Sequence, residues 1–151
     1  MGCTSYLLVT VLKVREVMVT NLVTIEPNAL IFEVAKLMRD KKVGSVIIIK
    51  KRKVLGIVTE RDLVRRVLAE NRDPKTIKIR DVMSTPVFSI SPEEDVVNAA
   101  HIMRQRGIRR IVVMTGDELV GVITTNDLAR NMKRHIEELA STLYLVGRTW
   151  M

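Results

Sequence analysis

The sequence predicts a mixed α/β (α+β) protein built from two similar units, each running β-α-β-β-α and packed with pseudo-two-fold symmetry. Three observations carry this. The chain repeats itself at an offset of 65 residues without a gap (Val14 onto Ile79). Each copy holds two short β-branched runs separated by a polar turn. Ahead of those runs, each copy holds one stretch of apolar residues at helical spacing.

The repeat is read directly from aligned strings. Val14-Arg15-Glu16-Val17-Met18 falls on Ile79-Arg80-Asp81-Val82-Met83, and Thr24-Ile25-Glu26-Pro27 falls on Ser89-Ile90-Ser91-Pro92. Gly56-Ile57-Val58-Thr59-Glu60-Arg61-Asp62-Leu63 falls on Gly121-Val122-Ile123-Thr124-Thr125-Asn126-Asp127-Leu128. The organisation that follows is an N-terminal segment 1–13, a first unit 14–69, a linker 70–78, a second unit 79–132 and a C-terminal helical extension 133–151.

Taken in order, Leu22 to Ile25 is a short extended piece leading to Pro27, which suits the start of a helix. In the second copy Ser91-Pro92-Glu93-Glu94 reads as a capping box, with Ser91 as the cap and Glu94 reaching back. Ile31, Val34, Ala35 and Met38, and likewise Val96, Ala99, Ala100 and Met103, are spaced for one face of a helix. Val46–Ile49 and Ile111–Met114 read as buried strands. Each meets a polar turn (Lys50–Lys53, Thr115–Glu118) and then a second strand (Val54–Val58, Leu119–Ile123), so each pair is a hairpin. A last helix opens at Thr59 or Thr124. The linker, polar and broken by Pro74, is short enough that the copies should pack face to face. One copy of about sixty residues would be marginally stable alone, and pairing buries both apolar sheet faces.

Composition narrows the function. The chain has 151 residues, 47% hydrophobic but only 3% aromatic, so Val, Ile, Leu, Met and Ala must fill the core. Met18, Met38, Met83 and Met103 recur at matched positions and read as core filler. Its net charge of +8 attracts anions: nucleotides, nucleic acid or acidic lipid. The basic residues are scattered and lack interleaved aromatics, which weakens a nucleic-acid reading. One cysteine, Cys3, excludes a disulfide within the chain, and no cluster has zinc spacing. Tyr6–Leu12 is apolar but too short to span a bilayer, so a soluble cytoplasmic protein is expected. No nucleophile–base–acid set is visible, and no enzymatic activity is expected.

The order strand, helix, hairpin, Gly-x-x-Thr-x-x-Asp, helix resembles the CBS domain, present twice over residues 14 to about 132. The Val-Met openings, the Gly107–Val113 run and the two Gly-x-x-Thr-x-x-Asp strings together carry that resemblance. It implies a tandem pair, or Bateman module, with two clefts between the copies. It also implies an adenine nucleotide as ligand (AMP, ADP or ATP, with or without Mg) or S-adenosylmethionine. In the family the Asp of one copy meets the opening segment and hairpin of the other.

The residues suit that implication. Thr59 and Thr124 end a strand and begin a helix, where unpaired N–H groups favour phosphate. Asp62 and Asp127, three residues on, offer carboxylates to the vicinal hydroxyls of ribose. The same residues would also serve simply as helix caps. Gly56 and Gly121 clear space where a ligand or another backbone comes close.

One expected cleft joins Thr124, Asn126 and Asp127 to Thr20, Leu22, Thr24, Gly44 and Ser45. The other joins Thr59, Arg61 and Asp62 to Thr85, Val87, Ser89, Arg109 and Arg110, a strong anion site. A stripe of Met132, Ile136, Leu139 and Leu143 beyond the repeat could pair two modules into a homodimer. The expected function is a non-catalytic nucleotide sensor acting on a separate effector protein. A basic nucleic-acid binder is the alternative.

Overall fold

The computed structural model describes residues 12–148, without the side chains of 138, 139 and 142–148. Its elements run α1 (Val14–Val17), β1 (Thr24–Ile25), α2 (Ile31–Lys41), β2 (Ser45–Lys50), β3 (Lys53–Thr59) and α3 (Glu60–Leu63) in the first copy. The second copy supplies β4 (Ser89–Ile90), α4 (Val96–Arg106), β5 (Arg110–Thr115), β6 (Glu118–Thr124) and α5 (Thr125–Arg148). A π turn over Val64–Leu68 follows α3, and a 3₁₀ turn over Ile79–Asp81 opens the second copy.

There are two three-stranded sheets, ordered β1-β2-β3 and β4-β5-β6, each a parallel pair followed by an antiparallel hairpin. The β-branched runs behave as their composition requires. Val46, Ile47 and Ile48 are at most 3% exposed, as are Ile111, Val112 and Val113. Ile47, Val112 and Val122, with Leu22, Ile57 and Val87 packed around them, form the apolar layer between the sheets.

The opening turns exchange places. Val14 and Val17 of α1 are buried in the second copy's core with Ala99, Met103, Ile111 and Ile123. Ile79 and Val82 are buried in the first copy's core with Val34, Met38, Val46 and Val58. Backbone hydrogen bonds fix the exchange symmetrically: Val14 N donates to Glu94 O (2.9 Å) and Ile79 N to Ala29 O (2.8 Å).

That exchange corrects two expectations. Ser91–Glu94 is not a helix cap but a turn, with Glu94 N donating to Ser91 O, and α4 starts at Val96 after Asp95. Pro27 likewise sits in a turn, and α2 starts at Ile31. The carbonyls of Pro27, Ala29, Pro92 and Glu94 are turned outward to receive the other copy's opening helix. Along the helices, Ile31, Val34 and Met38 are buried as their spacing predicts, whereas Ala35 and Ala100 are exposed.

Past the exchanged helices, Val19 and Val122 trade backbone hydrogen bonds (2.8 and 3.0 Å), and Ser84 and Ile57 do the same. Gly121 and Gly56 make these contacts possible. A Cβ on Gly121 would lie 2.7 Å from Met18 Sδ and 3.2 Å from Val19 O; one on Gly56 would lie 2.5 Å from Met83 Sδ. Met38 and Met103 are buried core filler, and Met18 and Met83 pack at the edge of the same cores while covering the two glycines.

On α5, Met132 and Ile136 are about 60% exposed, one turn apart; the side chains of Leu139 and Leu143 lie outside the described residues, as do Cys3 and most of the segment 6–12. Among the described residues no helix is long and apolar enough to cross a membrane.

Candidate functional site

Two helix N-termini face the region between the copies, and each is capped in the same way. Thr59 Oγ accepts from Asp62 N (3.2 Å), while Asp62 Oδ2 accepts from Thr59 N (2.9 Å) and Thr59 Oγ (3.0 Å). Thr124 and Asp127 repeat this at 2.9, 2.6 and 3.2 Å. Each Thr-x-x-Asp is therefore a reciprocal cap that stabilises its helix and fixes the carboxylate.

The cap engages only one carboxylate oxygen, and here the copies diverge. Asp62 Oδ1 lies 3.6 Å from Arg66 Nη2. At the position equivalent to Arg66, Asn131 donates instead to the backbone carbonyl of Asp127 (2.8 Å). Neither Oδ1 accepts a hydrogen bond among the described residues, so the copies differ in the ion pair that Asp62 makes and Asp127, 8% exposed, does not.

Asp127 lines a cleft of about 410 Å³, within the roughly 300–1,000 Å³ of small-molecule sites. Its walls come from both copies. Leu22, Val43, Ile47 and Val122 make an apolar side; Asn21, Ser45, Thr124 and Asn126 are polar; Lys42, Arg110 and Arg130 supply positive charge. The cleft brings together six of the eight residues expected there: Leu22, Gly44, Ser45, Thr124, Asn126 and Asp127. Thr24 lines a separate open cavity of about 1330 Å³ between the hairpin tips, and Thr20 lines neither. The reason is local. β1 is only two residues long, so strand alternation does not reach back to Thr20, and the Val19–Val122 bridge aims Val19 and Asn21 at the cleft.

The residues expected in the second cleft do not gather in either of these two cavities. Val87 and Ser89 line the hairpin cavity, while Thr85, Arg61 and Arg109 are exposed and line neither cavity. Thr59 and Asp62 remain as the cap of α3. Arg110, expected there, lines the Asp127 cleft. Its register partner is Thr124 of its own copy, and its Nη1 donates to Gly44 O (3.3 Å) across the interface. Burial pulls the Arg110 guanidinium below the ordinary arginine value, against the opposing pull of Asp62, Glu60 and Asp127.

Asn21, Lys42 and Arg130 were not expected. Lys42 had a signal: it ends α2 in the left-handed region (φ 55°), where the repeat places Gly107 (φ 62°). A lysine in a glycine's conformation is a local rule broken. Arg130 lies three residues past Asp127, on the same helix face.

The two repeats, each carrying an exchanged opening segment and a Thr-x-x-Asp cap, are both matched by a family model. The CBS-domain model matches twice, at residues 14–69 and 79–134. The chain belongs to the CBS-domain family. A CBS domain-containing protein of Bacillus subtilis, YhcV, is 35% identical over 118 residues, covering 78% of this chain and 84% of that one. A Methanopyrus kandleri protein is 36% identical over 117 residues, 76% of this chain and 60% of its own length. Among solved structures, a hexameric CBS-CP12 protein from bloom-forming cyanobacteria superimposes with a TM-score of 0.75 at 36% identity, over 80% of this chain and 67% of that one. Tandem CBS domains are typically regulatory, ligand-binding modules.

Proposed function

We propose that this CBS pair binds an adenine nucleotide in the Asp127 cleft and acts, without catalysis, as a regulatory sensor for a separate partner protein. The observation that carries the reading is the composition of that one cleft. Leu22, Val43 and Ile47 offer an apolar wall for a base, and Asp127 keeps a carboxylate oxygen for ribose hydroxyls. Lys42, Arg110 and Arg130 supply three cations for phosphates. Because the walls come from both copies, a bound nucleotide favours one arrangement of the halves, and a partner can read that shift. The same reading has two chains pairing through the exposed Met132 and Ile136 of α5. The hexamer formed by the cyanobacterial CBS-CP12 protein is in keeping with assembly.

The test is thermal unfolding against AMP, ADP, ATP, S-adenosylmethionine, NAD and GTP, with and without Mg. A ligand at a hundred times its Kd adds about 2.7 kcal/mol, a shift of several degrees. The expected result is a shift with adenosine compounds that is lost in Lys42→Ala/Arg110→Ala. No shift with any of them would sink the reading and leave the basic charge as the guide, pointing to a nucleic-acid binder with steep salt dependence.

A further inference from the structure

We propose that Arg66 keeps the Asp62 side of the module closed to nucleotides, so that the chain takes up one nucleotide rather than two. This rests on the nucleotide reading of the Asp127 cleft and names what makes the two sides unequal.

The two caps are otherwise alike, which isolates the difference. In both copies the Asp Oδ2 is held by the Thr N–H and hydroxyl. On the Asp62 side the remaining oxygen faces the Arg66 guanidinium at 3.6 Å. Arg66 is itself pinned, since its Nη1 donates to Val82 O at 2.6 Å, at the end of the second copy's exchanged turn. The Arg66 guanidinium thus bridges the α3 cap and the second copy's exchanged turn. A ribose diol would have to part the guanidinium from the carboxylate while its other nitrogen stays tied to the Val82 carbonyl. The obstacle is the place the guanidinium occupies more than the strength of its 3.6 Å ion pair.

The backbone differs at the same place. The stretch after α3 is a π turn, closed by Ala69 N donating to Val64 O (2.8 Å). The equivalent stretch of the second copy continues as regular helix in α5. Arg66 lies within this π turn, a feature frequent at functional sites that the twin lacks.

Isothermal titration with AMP and with ATP counts the sites. Wild type is expected to bind one nucleotide per chain, lost in Asp127→Asn and kept in Asp62→Asn. Arg66→Asn, which copies the residue at 131, is expected to bind two. Far-UV circular dichroism checks that the variant is folded. Arg66→Gln, which keeps a donor for the Val82 carbonyl, replaces it if it is not. Two nucleotides on wild type, or one on both folded Arg66 variants, overturns the inference and leaves the nucleotide reading intact. No binding by wild type to either nucleotide overturns both.

Discussion

Single residues carry the contacts between the copies. Gly121 allows Val19 to reach Val122, and Met18 lies where a Cβ would be. Gly121→Ala is expected to cost about 1–3 kcal/mol, the range for overpacking a tight site. Adding Met18→Ala should return part of that loss, because the sulfur is the nearer obstacle and the Val19 carbonyl the farther. Chemical denaturation of the single and double variants measures both. An unchanged midpoint for Gly121→Ala would mean the bridge is looser than its hydrogen bonds imply. Arg110 acts on ligand rather than fold: it is half-buried, held to Gly44 O, and charged at neutral pH despite its lowered pKa. Arg110→Ala is expected to weaken nucleotide binding about tenfold, or about 1.4 kcal/mol, with little change in melting of the free protein.

Among the elements, the hairpins and the capped helices were legible in the sequence and the opening helices were not. Val46–Ile48 and Ile111–Val113 are β-branched runs between turns, a pattern with few other uses. Thr59 and Asp62 could be placed at a helix start because their side chains have one favoured task there. Ser91 and Glu94 misled because a serine oxygen accepts a nearby N–H equally well in a turn and in a cap. Val14 and Val17 span a single turn, too short for a period to announce a helix or to say whose core it enters. The clefts were half legible. Residues fixed by the repeat register gathered as expected, whereas Arg110 and Lys42 depended on side-chain reach and on one left-handed residue. The exchange makes its own prediction. Ile79→Ala should cost about 2–5 kcal/mol, as for other buried Ile-to-Ala changes. Although Ile79 opens the second copy, hydrogen exchange should accelerate first at Val46–Ile48 of the first sheet. Acceleration confined to β5 and β6 would contradict the packing.

For the whole molecule, the charge of +8 and the exposed stripe on α5 bear on what it meets. If two chains pair through that helix, Met132→Glu/Ile136→Glu should convert a dimer into a monomer in sedimentation experiments while leaving nucleotide-induced stabilisation in place. A wild-type monomer at micromolar concentration would remove α5 as the pairing surface. The position of the proposed ligand cleft makes assembly and sensing separable: Asp127 at the start of α5 and Arg110 on β5 line the cleft between the copies, whereas Met132 and Ile136 are exposed further along α5.

The crossed opening turns also set an order on biosynthesis. Chains leave the ribosome from the N-terminus at roughly 5–20 residues per second, and domains ordinarily fold as they emerge. Here the first half cannot finish when its own sequence is out, because Ile79 and Val82, which seal its core, come after the linker. Val14 and Val17 wait longer still, until Ile123 and Leu128 have been made. A nascent chain stalled before Ile79 therefore presents an unfinished apolar sheet. The protein becomes native only when nearly all of the repeat has been translated.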